Sequence, residues 1–176
     1  MRFVAIERKW ETVRTSALKL TSWAILERLL TPSNALVVET MLQTGLRVSD
    51  VLSLTRSDLA KGQRFTVWES KTGKRRRVYI GKKLYLRLCQ TCGKKWVFPS
   101  VRTDDKHRTR QAVWADIKRA SKALRLRENV APHSARKSYA CGEYARSGRI
   151  TDVQKKLNHS NIETTVLYLL SVLKPP

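Results

Sequence analysis

One short stretch narrows the fold more than any other. Phe65 and Val67 alternate with polar neighbours, and Arg77-Val78-Tyr79-Ile80 follows a Lys71-Thr72-Gly73-Lys74 turn. This is the period-two pattern of a β-hairpin with a basic tip. The remaining apolar runs with a clear period keep a helical one. Ile6, Trp10, Val13, Ala17 and Leu20 recur at helical spacing, and Thr21 or Ser22 is placed to cap a short helix through Leu26, Leu29 and Leu30. Thr31-Pro32 starts a helix that carries Leu36, Val37, Met41 and Leu42 and stops at Gly45. Ser49 or Asp50 caps the next, with Val51, Leu52 and Leu54.

Beyond the hairpin, residues 82–88 read as helical, Gly93 breaks the pattern, and residues 101–110 read as an exposed loop. Val113, Ile117, Ala120 and Leu124 mark a further helix. Pro132 opens another, which ends near Gly148, and Thr151 caps a short one through Leu157. Ser160 and Glu163 have the spacing of a capping box before the final apolar helix. The fold class is therefore α+β: a mainly helical domain with one small antiparallel sheet. There is no internal repeat and no low-complexity tract.

Charge limits what such a domain does. Lys and Arg number 36 against 14 Asp and Glu in 176 residues, a formal +22. Self-repulsion of that size destabilises a compact chain, so a polyanionic partner is expected. Nucleic acid is the leading candidate, because phosphate neutralisation rewards many basic side chains at once. No stretch approaches the length of an apolar membrane span, and the N-terminus lacks a secretory h-region, so the expected setting is intracellular and no membrane partner is expected. Cys89, Cys92 and Cys141 are an odd number, against a disulfide framework. Cys89 and Cys92 have the spacing of half a zinc site, but no second pair completes it, and no metal is expected.

Several residues carry chemistry. His133 and Arg136 share one helix face. Arginine offers a planar fork to phosphate oxygens, and histidine moves protons near neutral pH. Arg47 follows the break at Gly45 beside a helix start, Lys71 sits on the hairpin turn, and Tyr168 lies in an apolar helix. Taken singly, each arginine or lysine is an ordinary solvated charge, and each histidine or tyrosine an ordinary structural side chain. Their joint order changes the odds.

Thr44-Gly45-Leu46-Arg47-Val48-Ser49-Asp50 resembles the first arginine box of the tyrosine recombinase (phage integrase) family. Lys71 in Ser70-Lys71-Thr72-Gly73-Lys74 matches its hairpin lysine, and His133-Ser134-Ala135-Arg136 its H-x-x-R box. Leu157-Asn158-His159 matches its L-G-H box, and Tyr168 its nucleophile. The resemblance implies that Arg47 and Arg136 clamp a scissile phosphate, His159 donates to a nonbridging oxygen, and His133 assists proton transfer. It implies further that Lys71 protonates the leaving 5′-oxygen, that Tyr168 attacks to form a 3′-phosphotyrosyl link, and that Asp50 orients its neighbours. No cofactor is implied. Lys74, Arg75, Arg76 and Arg77 are the expected DNA-binding residues beside the site.

The implied activity is site-specific DNA recombination. The expected partners are double-stranded DNA with a specific site, other copies of the chain, and a DNA-bending accessory protein. A free monomer assembling to a dimer or tetramer on DNA is expected from the few residues after Tyr168. Asn158 stands where the family usually has glycine, and tolerates the same left-handed turn. Residues 1–20 read as a basic amphipathic extension and 21–176 as the catalytic domain, without a separate core-binding domain, as in compact members of the family. A bacterial or archaeal cytoplasm follows, with a phage or mobile element as one source. A DNA-binding regulator without strand exchange and a type IB topoisomerase-like relaxing enzyme are the alternatives.

Overall fold

The computed structural model of the chain describes residues 15–103 and 105–173, in the latter part without every side chain. Its elements in order are α1 (Leu20–Glu27), α2 (Pro32–Thr44), α3 (Val48–Leu52), α4 (Arg56–Leu59), β1 (Arg64–Trp68), β2 (Arg75–Tyr79), α5 (Lys82–Thr91), α6 (Arg110–Ala123), α7 (Pro132–Ser147), α8 (Ile150–Leu157) and α9 (Ile162–Leu173). The expected α+β class is what the structure has, with one two-stranded antiparallel sheet among the described residues.

Helix α2 is the hub. Pro32 occupies its first turn, and Asp116 of α6 accepts from Thr31 N (2.8 Å), Thr31 Oγ1 (3.0 Å) and Asn34 Nδ2 (2.8 Å). A carboxylate from another helix thus satisfies donors that the helix start leaves over. Leu36, Val37, Val38 and Met41 of α2 are buried with Trp23, Leu26, Leu46, Leu52, Ile80, Leu84, Leu88 and Ile117 in the larger core. A smaller core of Ala140, Val153, Leu157 and Leu169 ties α7, α8 and α9 together. Since α2 packs on α7, the two cores meet at the end of α2.

Some boundaries differ from the sequence expectation. The first expected helix lies mostly outside the described residues, and residues 15–19 of it are not helical. That segment instead runs against α7. Leu18 N donates to Ser138 Oγ (3.0 Å), which donates back to Leu18 O (2.8 Å) and also accepts from Trp23 Nε1 (2.9 Å). Helix α1 starts at Leu20, α3 has Arg47 rather than Ser49 or Asp50 at its N-cap, and α8 has Arg149 rather than Thr151. At α9 the cap is Asn161, whose Oδ1 accepts from Glu163 N (2.9 Å), and the Ser160 hydroxyl is turned to the hairpin instead. Lys19, Arg47 and Arg149 make no side-chain cap bond, so at α1, α3 and α8 the backbone alone sets the start, whereas at α9 the bond of Ser160 to Lys74 leaves the cap to Asn161.

Candidate active site

Helix α2 ends because Gly45 takes φ +63°, a left-handed turn favourable to glycine. A Cβ there would also lie 2.3 Å from the Tyr139 ring of α7, so the position has room for hydrogen only. The reversal frees the Gly45 carbonyl and delivers Arg47, one-fifth exposed, to the start of α3. Arg47 Nη1 donates to Glu69 Oε2 at 2.8 Å and lies 3.9 Å from Asp50 Oδ2.

Glu69 and Asp50 are both fully buried, and both hold the turn that carries Lys71. Glu69 accepts from Thr72 Oγ1 (3.0 Å), faces Arg76 Nη1 (3.5 Å), and closes the hairpin end through Glu69 N to Lys74 O (2.9 Å). Asp50 Oδ1 accepts from Ser70 N (2.9 Å) and Ser70 Oγ (2.7 Å), one residue before Lys71. Burial alone would raise the Glu69 carboxyl. Hydrogen bonds from Arg47 and Thr72 and the charges of Arg47 and Arg136 outweigh it and hold the pKa below the usual value. Glu69 therefore stays ionised. It was not anticipated from sequence; the available signal was an acidic residue at the end of a strand in a chain short of acids.

Arg136, 1% exposed, reaches the same place from the first turns of α7. Its Nη1 donates to Gly45 O (2.5 Å) and its Nη2 to Leu157 O (2.8 Å), so its guanidinium bridges the ends of α2 and α8. Leu157 O is presented because Asn158 takes φ +56°, the left-handed turn expected of it, with His159 N donating to Gln154 O (3.1 Å). His159 Nε2 then lies 3.4 Å from Arg136 Nη2, and its Nδ1 lies 3.0 Å from Thr165 Oγ1. Arginine only donates, so this geometry fits the tautomer with the proton on Nδ1, given to Thr165, and the Nε2 lone pair toward Arg136.

Both histidines are neutral at physiological pH. His159 falls to about 4 through burial and then the charges of Arg136, Arg47 and Arg76. His133 also falls to about 4, through desolvation and then the charges of Lys137, Arg136, Arg47 and Lys71. Arg47 and Arg136 thus act on both histidines, and Lys71 acts on His133. Tyr168 falls in α9, and its side chain lies outside the described residues. The helix bearing it is fixed by buried Thr165, on His159, and buried Leu169, in the small core.

The expected DNA-binding residues divide. Lys74, Arg75 and Arg77 are exposed, and Lys74 Nζ donates to Ser160 Oγ (2.7 Å), joining the hairpin to the His159 loop. Arg76 is 8% exposed and is not on the basic surface. Strand alternation turns it inward with Val78, where it donates to Gly45 O (3.3 Å) and Thr44 O and faces Glu69. Its role is to brace the end of α2. Beside it, Arg75, Arg77, Lys155 and Lys156 line a groove of about 530 Å³. Chemically, neighbouring arginines beside neutral imidazoles suit a phosphodiester whose charge rises during displacement.

The mainly helical fold thus brings Arg47 and Arg136 to the end of α2, with His159 beside Arg136 and the turn bearing Lys71 held by the acids that face Arg47. The chain belongs to the phage integrase family, whose profile it matches over residues 21–172. It is 30% identical over 142 residues to tyrosine recombinase XerD of Rhizobium meliloti (strain 1021), covering 75% of this chain and 45% of that protein. It is 30% identical over 132 residues to the probable integrase/recombinase YoeC of Bacillus subtilis (strain 168), covering 73% and 72%. The chain thus spans about half the length of the XerD relatives it matches. A crystal structure of a lambda integrase dimer bound to a COC′ core site shares the fold, with TM-score 0.73, 23% identity, and 89% of this chain and 48% of that one covered.

Proposed function

We propose that the protein is a site-specific DNA recombinase that cuts and rejoins strands through a 3′-phosphotyrosyl intermediate at Tyr168. The observation that carries the reading is Arg136, bonded to Gly45 O two residues before Arg47 and 3.4 Å from His159 Nε2, with Glu69 and Asp50 linking Arg47 to the turn that bears Lys71. Arg47 and Arg136 hold the nonbridging oxygens and stabilise the added charge of the pentavalent transition state. Tyr168 attacks phosphorus, the bond to the 5′-oxygen breaks, and Lys71 gives that oxygen its proton. His133, neutral and so able to accept, takes the tyrosine proton, directly or through water. His159 completes the oxyanion contacts, and Asp50 keeps the turn bearing Lys71 in register through Ser70.

Lys74, Arg75 and Arg77 extend the grip along duplex DNA, and recombination requires further copies of the chain on the same DNA. On this reading residues 21–176 are the catalytic domain and residues 1–20 a basic extension, and the setting is the cytoplasm of a bacterial or archaeal cell. Relatives named as recombinases support the assignment.

A nicked suicide substrate bearing the cognate site should trap a covalent protein–DNA adduct, resistant to denaturant, that Tyr168→Phe abolishes. An undiminished adduct in that variant would overturn the nucleophile. Relaxation of supercoiled DNA without site preference would overturn recombination in favour of a relaxing enzyme.

A further inference from the structure

The hairpin has a second face that the phosphate cluster does not use. Phe65, Val67, Arg76 and Val78 point inward, so Arg64, Thr66, Trp68, Arg75, Arg77 and Tyr79 share the outward face. The register pairs Arg64 with Tyr79, Thr66 with Arg77, and Trp68 with Arg75. Two aromatic rings therefore stand at opposite ends of the ladder, four residues or about 13 Å apart along the strands. Trp68 is 64% and Tyr79 55% exposed, among the most exposed large apolar side chains of the described residues. Each lies under a guanidinium, Arg75 at 5.5 Å from the Trp68 ring and Arg64 at 5.4 Å from the Tyr79 ring. Arg77 stands between them, and a shallow groove of about 410 Å³ runs past Arg64, Thr66, Arg77 and Tyr79.

We propose that this face is a stacking platform for unpaired DNA, with Trp68 and Tyr79 each taking a nucleobase and Arg64, Arg75 and Arg77 meeting the phosphates between. Duplex binding needs only the charges, since paired bases hide their faces in the stack. Each ring is more than half exposed even with a guanidinium over it, and a nucleobase is a flat partner for the open part, with its phosphates for the arginines to meet. Cross-strand arginine–aromatic pairs also steady a hairpin. Here the hairpin is already anchored by its buried inward face, so stabilisation does not account for the exposure. The platform also lies close to where single strands would arise. Its tip is tied to the His159 loop by Lys74 and Ser160, and on the recombinase reading the strand released at Lys71 leaves its duplex beside the hairpin.

The test uses the full chain with a fluorescent oligothymidylate, an abasic deoxyribose-phosphate oligomer of equal length, an oligouridylate, and a duplex. Salt is set high enough to suppress nonspecific phosphate binding. Trp68→Ala and Tyr79→Ala should each weaken oligothymidylate binding by about tenfold, while abasic and duplex binding change by less than about threefold. Trp68→Phe should keep most of the affinity. If the alanine variants unfold, Trp68→Leu and Tyr79→Leu keep apolar bulk without the ring and carry the same expectation. Equal losses on all ligands, no loss on oligothymidylate, wild-type binding of the abasic oligomer as tight as of oligothymidylate, or tighter binding of the RNA oligomer would each overturn the platform. Adduct formation through Tyr168 is a separate readout, so the two readings fail independently.

Discussion

Glu69 shows how one buried acid sets the geometry of a cationic site. Its two oxygens face Arg47, Thr72 and Arg76, and its backbone closes the end of the hairpin beside Lys71. Without it, Arg47 and Arg76 repel one another across the end of α2, and Arg47 loses the contact that aims its fork. Glu69→Gln keeps the shape and one acceptor but removes the charge. The expected result is a loss of about 1.5–3 kcal/mol in unfolding free energy, the usual worth of a hydrogen bond to a charged group. At a temperature where the variant is fully folded, cleavage at saturating DNA should slow by about ten- to a hundredfold, with DNA affinity changed by less than about threefold. That split marks Glu69 as a positioning residue; a loss of affinity with an unchanged cleavage rate would refute it. Glu69→Asp, which keeps the charge on a shorter arm, should recover part of the rate.

At the scale of elements, the site is built from helix ends. Gly45 closes α2, Arg47 opens α3, the start of α7 supplies His133 and Arg136, and Asn158 closes α8 so that Leu157 O meets Arg136. Turn residues and boxes are local, which is why the hairpin, the stop at Gly45, the start at Pro132 and the turn at Asn158 were legible in the sequence. The buried side of the site was not. Arg76 sits in a run of three arginines whose charges look alike, and only strand alternation combined with the position of α2 turns the middle one inward. Glu69 needed the same long-range packing, and so did the choice of Asn161 over Ser160 as a cap. Asn158 offers a test at this scale. Asn158→Ala should cost about 1–2 kcal/mol in denaturant unfolding, because the left-handed turn crowds an ordinary Cβ, whereas Asn158→Gly should leave stability equal or higher. The alanine variant should also lose adduct yield through displaced Leu157 O and His159. Equal stability of the two variants would remove the turn from the argument.

For the whole molecule, folding buries the two histidines and also gathers cations about them in a chain of formal +22. His133 and His159 have folded pKa values near 4 against 6.5 unperturbed, so between those limits the unfolded chain binds more protons. Stability of the free protein therefore rises with pH across that window. Glu27 works the other way. Burial first and the Glu39 charge second raise it from 4.5 to about 7, so between those values the folded chain binds more protons and this contribution to stability falls as pH rises. Two groups oppose one, so a net rise is expected from about pH 4.5 to 6.5. Calorimetric unfolding over that range should show Glu27→Gln steepening the slope and His159→Asn flattening it. On the recombinase reading, duplex DNA adds the missing negative charge. A phosphate between Arg136 and His159 takes the arginine donors, and a proton on Nε2 becomes favourable, as a donor to the phosphate. The His159 pKa then rises, the complex takes up protons, and the binding heat at pH 6 should depend on the ionisation enthalpy of the buffer. In His133→Asn combined with His159→Asn that dependence should largely vanish. A buffer-independent heat for the wild-type chain would show that the imidazoles stay neutral on DNA and that the arginines and Lys71 alone answer the phosphate charge.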